Sequence, residues 1–179
     1  QVSAVDLTEA AVRLTRQTAR IFDVDINLVR ADVEQMPFLS DRFDFAFSWG
    51  VLHHTSDMAR AVGEMGRILK PGGRGMIMVY HRNSVVYYLH GLFWLLARGK
   101  IWHGYNLERV QDFYTDGFYH RYLTRRELGN ILLLSGLLVE QMSVTQYEKR
   151  ILPGIPGWLD TWLKARAGMC LVAKFKKPD

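Results

Sequence analysis

Two acidic residues stand where short predicted strands end. Asp6 follows the apolar residues 2–5, and Asp32 follows a strand predicted for residues 26–29. The carboxyl ends of parallel strands meet at one edge of a sheet, so both carboxylates are expected to face one crevice. Asp6 could accept hydrogen bonds from both hydroxyls of an adenosine ribose, and Asp32 could accept one from the adenine amine. The pair predicts an adenosine site, although each acid alone would equally suit a helix cap or a turn.

Residues beside these acids, and at the end of the next predicted strand, could complete the site. Leu7 and Val33 are apolar and could sandwich a flat base. Further along, the loop at residues 49–54 ends in His53 and His54, and a neutral imidazole there could take a proton from an oxygen or nitrogen nucleophile. Adjacent residues tend to face apart, so we predict a single candidate base, His53; the alternative is a pair of loop histidines bonded to backbone. No third ligand is fixed by spacing, so no metal site is predicted.

Strands and helices alternate through the first half of the chain. A strand at residues 43–48 is followed by a helix at 58–69, a Pro71-Gly72-Gly73 stop and a wholly apolar strand at 76–80. This alternation predicts a parallel sheet with right-handed crossovers, that is, a doubly wound α/β fold.

The second half follows a different pattern. Residues 83–123 are aromatic-rich, and a helix is predicted at 124–135. Two late strands, at 138–147 and 169–176, lack a crossover helix of the usual length between them and are predicted to form an antiparallel hairpin at the sheet edge. We interpret residues 1–179 as one domain, with 83–123 as an insertion on the side where a second ligand, the acceptor of a reaction, would bind.

Composition narrows the class of protein. The 179 residues carry a net charge of +5, but their basic residues are scattered, so nucleic acid is not a predicted partner. Cys170 is the only cysteine, which excludes an internal disulfide and an all-cysteine metal site. No signal peptide or apolar run of about twenty residues is visible, so a cytoplasmic location is the expectation.

Three segments together resemble a known family. VDLTEAAV, RADVEQMPFLSDRFDFAFSWGVLHH and EMGRILKPGG are similar, in order and spacing, to motifs of the class I S-adenosylmethionine-dependent methyltransferases, in the methyltransferase type 11 subgroup. The resemblance covers about residues 2–79 and implies a Rossmann-like sheet ending in a reversed hairpin. It implies S-adenosylmethionine as cofactor, with Asp6 on the ribose, Leu7 and Val33 flanking adenine, Asp32 on its amine, and Trp49, Gly50 and Val51 lining the methionine end.

The start of the chain departs from this family. In doubly wound nucleotide folds a glycine-rich turn lies roughly twenty residues before the ribose acid. Only five residues precede Asp6. We therefore expect an N-terminally incomplete domain that lacks the first strand and its glycine loop; the alternative is a sheet that closes without its usual middle strand. Such a chain is expected to be marginally stable, or to associate through exposed sheet edges, and its ability to bind cofactor alone is open.

The segment SVVYYLHGLFWLLARGK carries an apolar helical stripe formed by Val85, Val86, Leu89, Phe93 and Leu96. At about fourteen residues it is too short to span a bilayer. It could be a core or oligomer-contact helix, a lid over an apolar acceptor, or an interfacial membrane helix. The last interpretation is helped by nearby basic residues and by later tryptophans: Arg98, Lys100, Trp158 and Trp162.

The predicted function is methyl transfer from S-adenosylmethionine to a small acceptor, lipophilic if the apolar segment contacts it. In-line displacement depends on alignment and desolvation, so a general base is optional. Tyr119, His120 and Arg121 are candidate acceptor contacts. Two alternatives stay open: a catalytically silent interaction module, and an NAD-dependent oxidoreductase. An NAD-dependent oxidoreductase would also have an acid that binds ribose, as Asp6 could. It would not be expected to have an adenine-binding acid at Asp32 together with a terminal reversed hairpin.

Overall fold

A computed structural model describes residues 2–114, 120–145 and 154–179. The strands in this part of the chain are β1 (Val2–Asp6), β2 (Ile26–Arg30), β3 (Phe43–Trp49), β4 (Leu69–His81), β5 (Tyr122–Leu123), β6 (Leu138–Thr145) and β7 (Cys170–Lys176). The α-helices are α1 (Glu9–Ile21), α2 (Met58–Ile68), α3 (Val85–Leu92), α4 (Arg125–Leu134) and α5 (Gly157–Ala167). A π-turn at Phe93–Ala97 continues α3, and 3₁₀ segments lie at Leu52–His54, Lys100–His103 and Arg109–Tyr114.

The larger sheet has the order β3-β4-β7-β6, and β5 pairs with the end of β4. β3, β4 and β5 are parallel, whereas β7 runs antiparallel to both β4 and β6. The predicted α/β fold and its reversed hairpin are therefore confirmed. β4 lies in the middle of the sheet, and its residues Ile77, Met78 and Val79 are fully buried, as expected for an apolar strand covered on both faces.

β1 and β2 form a separate parallel ladder, and within the described residues β1 does not pair with β3. Polar contacts between loops join the two sheets. The Glu34 carboxylate accepts hydrogen bonds from the Ser56 hydroxyl and the Asp57 backbone, both at 2.8 Å. The Met36 amide donates to the Glu64 carboxylate at 2.8 Å. The loops after β2 and β3 therefore meet, which brings the carboxyl ends of both ladders to one side of the molecule.

The two faces of β3 differ, and its larger aromatic side chains lie on the open face. Ala46 is buried, whereas Phe45 and Phe47 are more than half exposed. The rings of Phe47 and Trp49 stack with centroids 6.0 Å apart. This face of β3 is an exposed apolar surface.

The end of α2 differs from the prediction. The helix begins after Asp57, whose carboxylate accepts from the Arg60 amide, but it ends at Ile68. Pro71-Gly72-Gly73 therefore does not terminate the helix; it lies within β4, which begins at Leu69 rather than Met76. The C-terminal segment supplies the reason, because Gly72 donates to the carbonyl of Lys177 at 3.1 Å and Lys177 donates to that of Gly73 at 2.8 Å.

The core lies between α2, α4 and one face of the larger sheet. Leu128 and Leu132 of α4 are fully buried, as predicted, and pack in one cluster with α2 and β4. Phe175 of β7 is also fully buried and lies directly over Gly75 of β4. A Cβ atom at Gly75 would come within 2.3 Å of Phe175 Cζ, so this position has no room for a side chain.

Candidate functional site

Asp6 and Asp32 are held by local turns at the end of the β1–β2 ladder. The Ala31 amide donates to the Asp6 carbonyl at 3.0 Å, which fixes the residue after β2 beside the end of β1. Asp32 is the next residue along the chain. Asp6 Oδ1 accepts from the backbone and hydroxyl of Thr8 at 2.8 and 2.9 Å, and Asp32 Oδ1 accepts from the Glu34 amide at 2.9 Å. The hydrogen bonds described for these two carboxylates involve Oδ1 only. Each acid is thus a turn residue and can also present a second oxygen to a ligand.

Two apolar side chains adjoin the acids. Leu7 is 63% exposed, although it directly follows a strand, while Val33 is half-buried and packs against the core. The Leu7 carbonyl accepts from Arg30 Nε at 3.2 Å, which ties this turn to the end of β2. An exposed leucine beside a carboxylate suits the edge of a flat, partly apolar ligand.

The chain leaves β3 through a glycine turn. Gly50 has a φ of +75°, and its amide donates to the Met78 carbonyl of β4 at 3.1 Å. A side chain there would be strained, because the left-handed conformation favours glycine. Trp49 and Val51 flank this turn with exposed side chains, whereas Leu52 is fully buried and anchors the following 3₁₀ segment.

His53 is fully buried, and neither ring nitrogen has a hydrogen-bond partner in the described part of the chain. Its ring lies against Tyr80 and His54, with centroids 4.1 and 4.2 Å away. Burial, and then the charges of His54 and His120, lower the pKa of His53 to about 3. The imidazole is therefore neutral at physiological pH and is a weak base in this environment. Its assignment as a general base stays a prediction.

A wall of rings that the sequence analysis missed lies beside His53. Tyr80 ends the apolar part of β4, and its ring centroid is 5.6 Å from that of Tyr122, which is 5.2 Å from that of His120. Tyr80 ends an apolar run at the edge where the site lies, which is the signal that could have identified it; no such run precedes Tyr122. His120 and Tyr122 also line a cavity of about 250 Å³ together with Arg82 and Gln111.

The three candidate acceptor contacts have different outcomes. His120 joins the ring wall, and Tyr119 lies outside the described residues. Arg121 ties loops together, because its amide donates to the His53 carbonyl and its guanidinium to the Ser56 carbonyl, both at 2.9 Å. This brace holds the end of the His53–His54 turn in place.

The described residues contain neither a candidate metal site nor a candidate membrane span. No group of three or more His, Cys, Asp or Glu side chains is placed to hold a metal ion there. No helix in the same part of the chain is long and apolar enough to cross a membrane.

The first part of the chain is similar to a known family. Residues 1–77 match the family model described as "Methyltransferase domain". Over these residues, which are less than half of the chain, the protein is similar to the class I S-adenosylmethionine-dependent methyltransferases, and the α/β fold agrees with that similarity.

Curated relatives resemble the chain over part of their length. The chain is 31% identical over 85 residues to the ubiquinone/menaquinone biosynthesis C-methyltransferase UbiE of Proteus mirabilis, which covers 46% of this chain and 34% of the relative. It is 32% identical over 84 residues to the 2-phytyl-1,4-naphtoquinone methyltransferase of a Nostoc species, covering 46% and 37%. The chain thus spans about a third of the length of the curated relatives it matches.

Solved structures match the fold over nearly the whole chain. A S-adenosylmethionine-dependent methyltransferase from Mesorhizobium loti matches with a TM-score of 0.64 at 22% identity, over 98% of this chain and 80% of that one. The [4+2]-cyclase SpnF matches with a TM-score of 0.67 at 15% identity, over 99% and 66%. At these identities the likeness shows the fold alone.

Proposed function

We propose that the chain binds S-adenosylmethionine and directs its methyl group to a small, apolar acceptor. The observation that carries the proposal is the meeting of two turn-fixed carboxylates, Asp6 and Asp32, with the Gly50 turn on one side of the molecule. The methyltransferase family match supports it.

The residues present fit the adenosine half of the cofactor. Asp6 would accept hydrogen bonds from the ribose hydroxyls and Asp32 would accept one from the adenine amine. Each would use Oδ2, because Oδ1 accepts hydrogen bonds within the turn. Leu7 and Val33 would cover the two faces of the base. Trp49, Gly50 and Val51 would line the methionine end, where the Gly50 turn lets the backbone approach a ligand closely.

When bound, the cofactor supplies a cationic sulfonium that carries the transferable methyl group. The chain's own contribution is alignment and exclusion of water. Trp49 and Val51 offer apolar surface for that purpose. The low pKa of His53 keeps its imidazole uncharged, so no positive charge forms there to oppose a cationic ligand. We propose that transfer depends mainly on this alignment and that any proton transfer to His53 is a minor contribution.

The acceptor is proposed to lie against the ring wall of Tyr80, His120 and Tyr122. Flat aromatic surfaces favour an apolar or planar ligand. The names of two curated relatives, which act in ubiquinone/menaquinone biosynthesis and on 2-phytyl-1,4-naphthoquinone, support an apolar acceptor for this chain.

The cofactor site is tested by comparing Asp32→Asn with Asp41→Asn. Asp32 would lose a charge-assisted hydrogen bond worth about 1.5–3 kcal/mol, which corresponds to roughly 10- to 150-fold weaker binding. Asp41 is a matched control because it is an exposed loop aspartate paired with Lys177 at 2.8 Å. Calorimetric titration with S-adenosylmethionine measures both. Equal affinities would remove Asp32 from the site.

Fold likeness does not decide the reaction, since a [4+2]-cyclase shares this fold. Titration with NAD in parallel separates the oxidoreductase alternative. Binding of S-adenosylmethionine without incorporation of label from its methyl group into quinone-like acceptors would support a silent binding module instead.

A further inference from the structure

The helix predicted to carry an apolar stripe turns three of the five stripe residues, Leu89, Phe93 and Leu96, toward solvent. Leu89 and Leu92 of α3 are about half exposed, and Phe93 and Leu96 in the π-turn are 53% and 64% exposed. Trp102, in the 3₁₀ segment that follows, is 87% exposed. We call these five residues the α3 apolar face. The remaining stripe residues, Val85 and Val86, are half-buried, and Val86 packs against the buried cluster around Met78.

The opposite side of the same helix is the one that packs inward. Tyr87 and Gly91 are buried, and a Cβ atom at Gly91 would come within 2.4 Å of the Leu107 side chain. Gln111 Nε2 donates to the Tyr87 carbonyl at 3.0 Å. Because this inner side is fixed by close packing and a buried hydrogen bond, the α3 apolar face cannot rotate inward without breaking both.

The chain segment that carries the face has charged side chains of one sign. The sequence has no Asp or Glu between Met65 and Leu107, although it contains 18 acidic residues in all. Arg98 lies over the Trp94 ring at 5.4 Å, and Lys100 lies 5.4 Å from the Tyr105 ring centroid. The apolar face thus adjoins cations whose charged ends lie near aromatic rings. Basic residues beside an exposed apolar face are typical of helices that bind at a membrane–water interface.

A second group of aromatic side chains with an exposed member lies on α5, which is connected to the same edge of the sheet. Trp158 of α5 is 73% exposed, and Arg166 lies over the Trp162 ring at 4.7 Å. α5 leads into β7 beside the end of β4, where the His81 amide donates to the Met169 carbonyl at 2.7 Å. Both apolar helices are therefore attached at the carboxyl end of β4.

We propose that the α3 apolar face docks on the surface of an anionic phospholipid bilayer, with Phe93, Leu96 and Trp102 entering the interface and Arg98 and Lys100 contacting lipid phosphates. A second copy of the chain fits less well. A two-fold symmetric contact would bring the same cations of both copies together, which opposes association. The proposal does not depend on methyl transfer, and its test uses no cofactor.

The test is co-sedimentation of the chain with two kinds of vesicle. One is pure phosphatidylcholine, and the other is phosphatidylcholine with about 30% of the anionic lipid phosphatidylglycerol. We expect binding to the anionic vesicles that weakens as salt is raised. Phe93→Ser with Leu96→Ser should lower the partition coefficient at least about ten-fold. Arg98→Gln with Lys100→Gln should lower it roughly 30-fold on anionic vesicles, at about five-fold for each charge.

Leu134→Ser is the matched control, because Leu134 of α4 is 87% exposed and lies outside the face. Circular dichroism checks that each variant is folded; should the double serine variant unfold, the double glutamine variant still tests the proposal. Full recovery of the chain in the supernatant with both vesicle types would overturn it. So would light scattering that shows a dimer abolished by Phe93→Ser with Leu96→Ser, since a second copy would then cover the face.

Discussion

The buried imidazole of His53 should make the stability of the chain fall in mild acid. Its pKa is lowered from 6.5 to about 3 in the folded protein. Below pH 6.5 the unfolded chain binds a proton that the folded chain excludes, so the free energy of unfolding decreases as pH falls. The contribution is complete above pH 6.5 and is lost progressively toward pH 3.

The magnitude follows from the separation of the two pKa values. At pH 4.5 the unfolded imidazole is two pH units below its pKa, which corresponds to a loss of about 3 kcal/mol. That is a large share of the roughly 5–15 kcal/mol that stabilises an ordinary domain. The cause lies in the surroundings: Tyr80 and His54 cover the ring, and His54 and His120 supply nearby charge.

Urea unfolding at pH 7.0 and 4.5 measures this loss, for the unaltered chain and for His53→Leu. Leucine does not titrate and leaves no buried polar atom unpaired, so the variant should lose less stability between the two pH values by about 3 kcal/mol. His81 and His90 also have lowered pKa values, mainly through burial, but they contribute equally to both chains and cancel in the comparison.

His103→Gln, at an exposed histidine, serves as the control and should keep the pH dependence of the unaltered chain. An NMR titration of the His53 ring gives an independent measurement. A midpoint near 6 in the folded protein, or identical pH dependence of stability in His53→Leu and the unaltered chain, would refute the argument that His53 is held neutral by burial.

Two further predictions concern stability. Thr124→Ala removes one half of the capping box in which Thr124 and Glu127 satisfy each other's backbone amides, and it should lower the free energy of unfolding by about 1 kcal/mol in urea denaturation; no change would show that the box contributes nothing. Gly75→Ala forces a methyl group onto Phe175 and should cost about 1–3 kcal/mol, and an unchanged melting temperature would show that the ring moves aside freely.

Local patterns in the sequence were sufficient for most of the elements. Thr8 caps α1, Thr124 caps α4 and Gly136 follows that helix with a φ of +73°, because capping depends on residues a few positions apart. The antiparallel pairing of β6 and β7 was predicted correctly, but the reason was wrong, because an 11-residue helix, α5, lies in the connection that was expected to lack one of the usual length.

Features that depend on distant partners were not predictable. Pro71 lies in a strand because the C-terminal segment pairs with its neighbours, and no local pattern encodes that pairing. The same limit applies to the site: its acids could be placed at strand ends, but the burial of His53 depends on Tyr80, which is distant in sequence. The direction of the α3 apolar face likewise follows from which side of α3 meets Leu107 and Gln111.

The division of the strands into two ladders has a consequence for motion. Within the described residues β1 and β2 share no strand hydrogen bonds with β3. They can therefore open as one cooperative unit once the loop hydrogen bonds of Glu34, Met36 and Phe38 and the packing of Val5 and Val33 on the core are released. Asp6 and Asp32 belong to that unit, whereas Gly50 belongs to the other. A ligand that contacts both units would stabilise the closed state and slow amide exchange throughout β1 and β2. Its observed affinity would be reduced by the free energy needed to suppress this opening.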